Sequence, residues 1–305
     1  MHYSVLKEEA IEGLNIKEEG IYVDATVGFA GDAKEILRNL KRGFLFAFDA
    51  DSIAVDYSNK KLLEIGNNFK IFNTNFADMK KVLEQENVYE VDGILFDLGF
   101  SSPQIDDASR GFSFMKDGPL DMRMSGSGKS AYDVVNTYKE EQLMKVFFEY
   151  GEEKLSRVIT QKIIDKRSIK PITSTLELVE IIRKATGANY FFKHHPERKT
   201  FQAIRIEVND ELKVLENVLP DAIKMLKKGG RICVITFHSL EDRIVKKIFK
   251  KYSEVNDAFR GLPQIPDEYK PLIKLVNKKP ILPSEEEILE NSRSKSAKLR
   301  IIERI

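Results

Sequence analysis

The chain has 305 residues, of which 42% are hydrophobic and 32% charged, and its formal net charge is +1. This composition is typical of a folded globular protein and excludes an intrinsically disordered chain. The length allows two domains, and the near-neutral charge means that nucleic-acid binding would depend on local basic patches.

The N-terminal third alternates two kinds of segment. Apolar, β-branched runs predict buried strands at residues 21–27, 43–49, 70–75 and 91–99. The intervening segments predict helices at residues 31–40, 51–65 and 77–87. Continuous apolar strands separated by helices indicate a parallel sheet that is covered on both faces.

The pattern changes after the fourth strand. Residues 101–130 are rich in Ser, Gly, Pro and Asp and show no period. Residues 131–187 are predicted to be helical, and Ser174 with Glu177 forms a capping box. Residues 188–205 are predicted to be irregular, and they are basic.

The strand–helix alternation then resumes. A helix is predicted at 210–227, ended by Gly229-Gly230, and it is followed by a strand at 231–237 and a helix at 240–252. Residues 298–304 alternate and predict a final edge strand, whereas residues 255–290 give no clear prediction.

The simplest architecture is an α/β fold, a doubly wound and mostly parallel sheet with an inserted helical domain. We expect residues 1–104 and 206–305 to form the cofactor-binding domain. Residues 105–205 are expected to form a mostly helical domain for substrate recognition.

Three predicted strands carry an aspartate at or near their carboxyl end, at Asp24, Asp49 and Asp97. Ligands of such sheets bind beyond the carboxyl ends of the strands, so these side chains point to a binding crevice. In the first loop, Gly28 and Gly31 let the backbone approach a ligand at a helix N-terminus.

The loop lacks the G-x-G-x-x-G fingerprint of dinucleotide sites. Asp49 could accept hydrogen bonds from the ribose hydroxyls of either NAD or S-adenosylmethionine. The absence of a pyrophosphate loop favours S-adenosylmethionine, which carries no phosphate. Phe76 follows the third strand and could either lie against adenine or belong to the core.

Several unusual strings identify a family. They include D-L-G-F-S-S-P-Q (97–104), R-G-F-S-F (110–114), D-G-P-L-D-M-R-M (117–124), Y-G-E-E (150–153), H-P-E-R-K-T-F-Q-A-I-R-I-E-V-N-D-E-L (195–212), F-H-S-L-E-D-R-I-V-K (237–246) and R-S-K-S-A-K-L-R (293–300), after an H-Y-S-V-L (2–6) start. With these strings in order along the whole chain, the protein resembles the bacterial 16S rRNA (cytosine-N4)-methyltransferases of the decoding region. The resemblance implies a class I, Rossmann-like methyltransferase fold and S-adenosylmethionine as the cofactor.

The resemblance also implies a set of cofactor contacts. Together with Gly28 from the loop pattern, they are Ala30, Gly31, Asp32, Asp49, Phe76, Asp97 and Gln104. The chain departs from the family's pattern at four positions: Ala30 replaces Gly, Asp32 replaces His, Lys199 replaces Arg and Ser125 replaces Asp. An alanine at position 30 would be strained if its φ were positive. Asp32 reverses a charge near the methionine end of the cofactor.

Methylation of an exocyclic amine needs an acceptor for a hydrogen bond from the amine, and an in-line arrangement with the methyl group. Our catalytic candidates are Asp97 and the turn Ser101, Ser102 and Pro103, which resembles the short strand-four motif of amino-methyltransferases. Cys233 lies in an apolar strand and is interpreted as structural. No metal site is indicated.

A base must leave its stack to reach the methyl group, and RNA enzymes hold such bases against aromatic or arginine faces. The candidate RNA contacts are Arg110, Phe112, Phe114, Arg123, His195, Arg198 and Lys199. The two phenylalanines could instead anchor the insert to its core. A second basic patch at Arg293, Lys295, Lys298 and Arg300 could be either an RNA contact or a solvated surface.

These observations favour an enzyme that transfers a methyl group to cytidine N4 in 16S rRNA, with the small ribosomal subunit as its partner. Three alternatives stay open: a methyltransferase with another RNA target, a non-catalytic ribosome-assembly factor and a nicotinamide-dependent oxidoreductase. The N-terminus lacks the pattern of a signal peptide and no membrane span is predicted, so a cytoplasmic location is expected. Both a monomer and a homodimer are compatible with the sequence.

Overall fold

A computed structural model describes residues 4–255, 266 and 269–305. His2 and Tyr3 of the family's opening string therefore lie outside the described residues. The chain divides into two compact units, one formed by residues 1–99 and 212–305 and the other by residues 100–211. The second unit is longer at both ends than the predicted insert of residues 105–205.

The first unit is built on a seven-stranded sheet in the order β3-β2-β1-β4-β5-β7-β6. Its strands are β1 (Ile21–Asp24), β2 (Phe44–Asp49), β3 (Phe69–Asn73), β4 (Val91–Asp97), β5 (Leu226–Thr236), β6 (Ile273–Leu275) and β7 (Lys298–Arg304). Strands β1 to β5 are parallel, and β7 is antiparallel to both β5 and β6. The predicted fold class is confirmed.

Helices cover both faces of this sheet. They are α1 (Lys7–Leu14), α2 (Gly31–Asn39), α3 (Ser52–Leu63), α4 (Met79–Gln85), α12 (Glu211–Met225), α13 (Ser239–Ser253) and α14 (Glu285–Glu290). One core lies around Phe48, Phe96 and Phe249, and the other lies around Leu14, Ile36 and Leu45. Burial on both faces explains why the strands are apolar without alternation.

Two predictions in the first unit were wrong. The strand at 298–304 is not at the edge, because β6 pairs with it and lies outside it. The helix predicted at 210–227 ends at Met225, and β5 then runs through Gly229 and Gly230. A Cβ on Gly230 would lie 2.9 Å from the carbonyl oxygen of Asp92, so this glycine permits close strand approach.

The second unit is helical. It contains α5 (Ser102–Asp106), α6 (Ala131–Thr137), α7 (Glu140–Glu149), α8 (Ser156–Arg167), α9 (Thr175–Thr186), α10 (Ala188–His194) and α11 (Pro196–Asn209). Its core includes Phe147, Ile163, Ile182 and Ile204. Ser174 is the N-cap residue of α9, and its Oγ accepts the N–H of Glu177 at 3.3 Å. The predicted capping box is incomplete, because the Glu177 carboxylate accepts the N–H of Thr173, at 3.0 Å, and not that of Ser174.

The prediction of an irregular segment at 188–205 was wrong, since α10 and α11 occupy it. The two helices are separated by His195, whose φ is +50° and whose successor Pro196 starts α11. This short break and the basic composition hide the helical period, which continues in the buried Thr200, Phe201 and Ile204. Among the described residues, no helix combines the length and the apolar composition that crossing a membrane requires.

Candidate functional site

Three carboxylates lie at one edge of the sheet in the first unit. Asp24, Asp49 and Asp97 are the last residues of β1, β2 and β4. These strands are parallel neighbours, so their carboxyl ends face the same crevice. The arrangement is that of a ligand site in an open α/β sheet.

The loop between β1 and α2 has an unusual backbone. Gly28 has φ +48° and Ala30 has φ +61°. An L-residue in this left-handed region carries a steric cost of roughly 1–2 kcal/mol, so Ala30 is strained. A Cβ on Gly31 would lie 1.9 Å from Oγ of Ser4, so a larger residue here would require the Ser4 side chain to move.

Asp49 holds this loop in place. Its Oδ2 accepts the N–H of Gly28 at 2.9 Å, and its Oδ1 accepts the N–H of Asp51 at 2.9 Å. Ser58, from the buried face of α3, donates its hydroxyl to the carbonyl of Gly28 at 2.7 Å. Burial raises the pKa of Asp49 to about 6. Each carboxylate oxygen keeps a lone pair that could accept a ribose hydroxyl.

Thr26 connects Asp24 with Asp97. The main-chain N–H of Asp97 donates to Oγ1 of Thr26 at 2.8 Å, and the N–H of Thr26 donates to Oδ1 of Asp24 at 3.1 Å. Oδ1 of Asp97 is buried without a hydrogen-bond partner. Burial and then the nearby charges of Asp32 and Asp24 raise the pKa of Asp97 well above its ordinary value.

Asp24 and Asp32 are as deeply buried as the core. Asp24 is 1% exposed and Asp32 is 6% exposed. Burial, followed by the charge of Asp32, raises the pKa of Asp24 to about 8. Asp32 lies in the first turn of α2 and its Oδ1 has no partner, while burial raises its pKa to about 6 against a hydrogen bond from Ser4.

Phe76 begins a 3-10 turn after β3, and its ring meets the edge of Phe96 at 5.6 Å between centroids. The side chain is half-buried and packs against the core. Phe76 is therefore part of the core and also retains an exposed portion.

The remaining catalytic candidates belong to the second unit. Ser101, Ser102 and Pro103 begin α5, and Pro103 is exposed. Oε1 of the buried Gln104 accepts the N–H of Ser101 at 2.9 Å. The Gln104 side-chain amide therefore caps the start of α5.

The structure contradicts one predicted RNA contact. Phe112 is 6% exposed and stacks on Phe100 with 5.7 Å between the ring centroids. A ring buried in the core of its own unit cannot present a face to a base, so Phe112 is an anchor. Phe114 is half-buried and packs edge-on against Phe201 at 5.9 Å.

Both arginines of this segment have internal partners. A terminal nitrogen of Arg110 donates to the carbonyl oxygens of Arg123 and Met124, each at 3.1 Å. Arg123 forms an ion pair with Asp121 at 2.6 Å. Their guanidinium groups shape the segment, and each remains partly exposed.

The basic residues around α11 differ in their surroundings. His195 and Arg198 are exposed, and Nδ1 of His195 lies 3.1 Å from Oε1 of Glu197. Lys199 lies 3.6 Å from a carboxylate oxygen of the fully buried Glu153. Lys199 is therefore the countercharge of a buried acid.

The C-terminal basic patch is also partly used inside the protein. Arg300 and Lys298 pair with Asp242, at 2.7 Å and 3.2 Å. Asp242 is therefore used in these ion pairs and does not cap α13. His238 is the N-cap residue instead, and the main-chain N–H groups of Phe237 and His238 donate to Glu241.

Sequence reasoning did not single out Thr26 or Ser58. Thr26 is a polar residue two positions after a strand-ending aspartate, which is the spacing of a local side-chain-to-backbone turn. Ser58 lies on α3 between the buried Ala54 and Leu62, at four-residue intervals. A polar residue in the middle of an apolar helical stripe is the signal that identifies it.

Known proteins resemble the chain over its full length. A ribosomal RNA small subunit methyltransferase H from Exiguobacterium sibiricum is 49% identical over 306 residues, which cover 100% of this chain and 98% of the relative. An rRNA methylase structure from Streptococcus thermophilus has 14% identity and a TM-score of 0.40, covering 98% of this chain and 93% of that one.

An S-adenosylmethionine-dependent O-methyltransferase structure from Thermotoga maritima has 8% identity and a TM-score of 0.43, covering 98% of this chain and 64% of that one. The family model described as the MraW methylase family matches residues 1–305. The chain therefore belongs to the MraW methylase family, a family of S-adenosylmethionine-dependent methyltransferases.

Proposed function

We propose that the chain transfers a methyl group from S-adenosylmethionine to the exocyclic N4 of a cytidine in the decoding region of 16S rRNA. The observation that carries this proposal is full-length similarity to a small-subunit rRNA methyltransferase at 49% identity. The choice of cytosine N4 comes from the family resemblance of the strings between residues 97 and 300. The small ribosomal subunit is the proposed partner.

The described residues fit this cofactor. Asp49 has oxygens available to ribose hydroxyls at the end of β2, and Phe76 has an exposed portion after β3 that could lie against adenine. The unpartnered Oδ1 atoms of Asp32 and Asp97 are acceptors suited to the positive charge of this cofactor. The loop of Gly28, Ala30 and Gly31, strained at Ala30, leads into the N-terminus of α2, and we propose that its main-chain groups approach this ligand.

When bound, S-adenosylmethionine supplies a methyl group that its sulfonium already activates. The chain's own contribution is to orient the amine and to stabilise the charge that develops on its nitrogen. Asp97 is the proposed hydrogen-bond acceptor, and Thr26 fixes the backbone of Asp97. Ser101, Ser102 and Pro103 are the proposed turn that receives the base.

The burial of the Cys233 thiol supports methylation at nitrogen and not at carbon. Methylation at carbon 5 of a pyrimidine proceeds through a thiolate nucleophile. Cys233 is fully buried in β5, and its Sγ lies 3.5 Å from the carbonyl oxygen of Ala10. Burial strongly raises the pKa of this thiol, so Cys233 stays protonated. Transfer to an exocyclic amine requires no such intermediate.

Arg198 and His195 are the exposed members of the proposed RNA surface, and Arg110, Phe114 and Arg123 are its partly exposed members. Exposed basic side chains contribute through phosphate contacts that weaken with salt. We assign the second unit, residues 100–211, to substrate recognition.

Nucleoside mass spectrometry tests the proposal. The protein is incubated with S-adenosylmethionine and small subunits that lack their native methylations, and the digested RNA is searched for N4-methylcytidine. We expect this nucleoside with the intact protein and its loss in Asp97→Ala. A different methylated nucleoside would refute the target. Unmodified RNA together with absent cofactor binding would favour the assembly-factor alternative.

A further inference from the structure

Asp24, Asp32 and Asp97 form an acidic cluster, and among the described residues it contains no ion pair. Asp24 ends β1, Asp97 ends the neighbouring β4, and Asp32 starts the helix that follows β1. No lysine or arginine of the described residues lies within ion-pair distance of these three carboxylates. The charge of Lys7 acts on Asp32, but Lys7 itself pairs with Glu35 at 3.8 Å.

The cluster contains unused acceptors in a buried place. Asp32 is more than nine-tenths buried, and its Oδ1 has no hydrogen-bond partner. Oδ1 of Asp97 also has no hydrogen-bond partner. Buried carboxylate oxygens without a partner are costly unless a cation or a donor is bound. The geometry therefore points to a cationic ligand group.

We propose that Asp32, together with Asp24 and Asp97, makes this site prefer the positively charged methyl donor over its neutral product, with one proton leaving the cluster as the cation enters. The inference rests on the proposed function, because it concerns the ligands of that same site. The sulfonium of the donor carries a positive charge, whereas the thioether that remains after transfer carries none. The charge balance is simple: an uncharged carboxylic acid gives its proton to solvent, and the resulting carboxylate faces the sulfonium.

The groups around the cluster favour this exchange. Asp49 on β2, Glu35 on α2 and Glu241 on α13 add negative charge, whereas Lys7 on α1 and the hydroxyl of Ser4 act in the opposite direction. Like charges in one buried place cannot all ionise. The raised pKa values of Asp24, at about 8, and Asp32, at about 6, agree with a proton held at neutral pH.

The consequence for turnover is selective product release. The thioether of the product supplies no positive charge to the cluster, so one carboxylate takes a proton back from solvent. The product is therefore held less tightly than the donor. Asp32→Asn removes one of the three carboxylates while it keeps the shape of the side chain. We expect this substitution to lower the ratio of donor affinity to product affinity about tenfold, the scale of one partly screened charge interaction.

Isothermal titration calorimetry of the full chain tests this at pH 7. S-adenosylmethionine and S-adenosylhomocysteine are each titrated in phosphate and in Tris, whose ionisation enthalpies differ, so the buffer dependence counts the released protons. We expect more protons released with the donor than with the product in the unmodified chain. The difference should shrink in Asp32→Asn and persist in the control Asp56→Asn, an exposed carboxylate on α3.

The possible results distinguish the charge-selective cluster from the methyltransferase proposal. Equal proton release for both ligands, with an unchanged affinity ratio in Asp32→Asn, overturns the charge-selective cluster and leaves the methyltransferase proposal intact. Failure of both ligands to bind overturns both. If Asp32→Asn does not fold, the unmodified chain still decides the matter, because the difference in proton release should disappear well above pH 8.

Discussion

The main-chain N–H of Asp97 donates a hydrogen bond of 2.8 Å to the hydroxyl oxygen of Thr26, which lies just beyond the end of the neighbouring strand. The same threonine donates its own N–H to Asp24. Thr26 therefore links the carboxyl ends of β1 and β4, through its side chain to Asp97 and through its main chain to Asp24. Thr26 is a positioning residue, since it acts through Asp97.

Thr26→Val should lower kcat for methyl transfer roughly ten- to hundredfold, because a small displacement of an aligned acceptor has a large effect on rate. Cofactor affinity should change little. Thr26→Ser keeps the hydroxyl and should restore most of the rate. Steady-state kinetics with calorimetry of cofactor binding would check this. A rate equally low in the valine and serine variants would show that packing, not the hydrogen bond, is responsible.

The buried Asp24 should make stability depend on pH. Its folded-state pKa of about 8 lies above the ordinary 3.8, so the folded chain binds more protons than the unfolded chain between these values. Stability therefore falls as pH rises through that window. Asp24→Asn should remove this loss of stability with rising pH. The free energy of unfolding of the variant should therefore increasingly exceed that of the unmodified protein from pH 4 to pH 8.

Asp92 serves as a control, because its effect on the pH dependence of stability has the opposite sign. Burial raises its pKa, but hydrogen bonds from Lys227, the N–H of Ile21 and Lys17 outweigh burial and hold the pKa below its ordinary value. Its stabilisation is present above the unfolded pKa and is lost as pH falls. Asp92→Asn should therefore destabilise the protein at neutral pH and less in acid. Urea unfolding across pH would measure both variants, and parallel profiles would refute the assignment.

The left-handed backbone at Ala30 can be tested against a neighbour. Ala30 and Ala33 are both fully buried, but only Ala30 has a positive φ, of 61°. Glycine relieves strain at position 30, whereas in α2 at position 33 it lowers helix propensity by about 1 kcal/mol. Ala33→Gly should therefore destabilise by at least about 1 kcal/mol more than Ala30→Gly. Equal losses in denaturant unfolding would contradict a strained Ala30.

The pairing of Lys199 with the buried Glu153 separates stability from RNA binding. Lys199→Ala leaves this carboxylate without its countercharge and should reduce the free energy of unfolding by about 1–3 kcal/mol. Adding Glu153→Gln should recover part of the loss, as a double-mutant cycle would measure. A Lys199→Ala protein of unchanged stability would return Lys199 to the RNA surface.

Arg198 is the matched exposed residue of the same helix. Arg198→Ala should leave stability unchanged and weaken RNA binding, with a salt slope smaller by about 1. Filter binding or fluorescence anisotropy at several salt concentrations would check this. RNA affinity that stays the same at low salt would place the RNA surface elsewhere on the protein.

The sheet follows from the sequence alone, because apolar strands with interposed helices can bury both faces in few ways. The sequence also located Asp24, Asp49 and Asp97, since strands that end in aspartate bring their carboxylates to one edge. It missed α10 and α11, where a left-handed residue and a proline interrupt the helical period.

The surroundings of each side chain, in contrast, are known only from the folded structure. Phe112 looks like a stacking surface in sequence, yet it is buried on Phe100. Lys199 looks like a phosphate contact, yet it lies beside Glu153, 46 positions earlier in the chain. Burial and charge pairing depend on contacts between distant residues, and a local sequence pattern carries no information about which distant residue will be the partner.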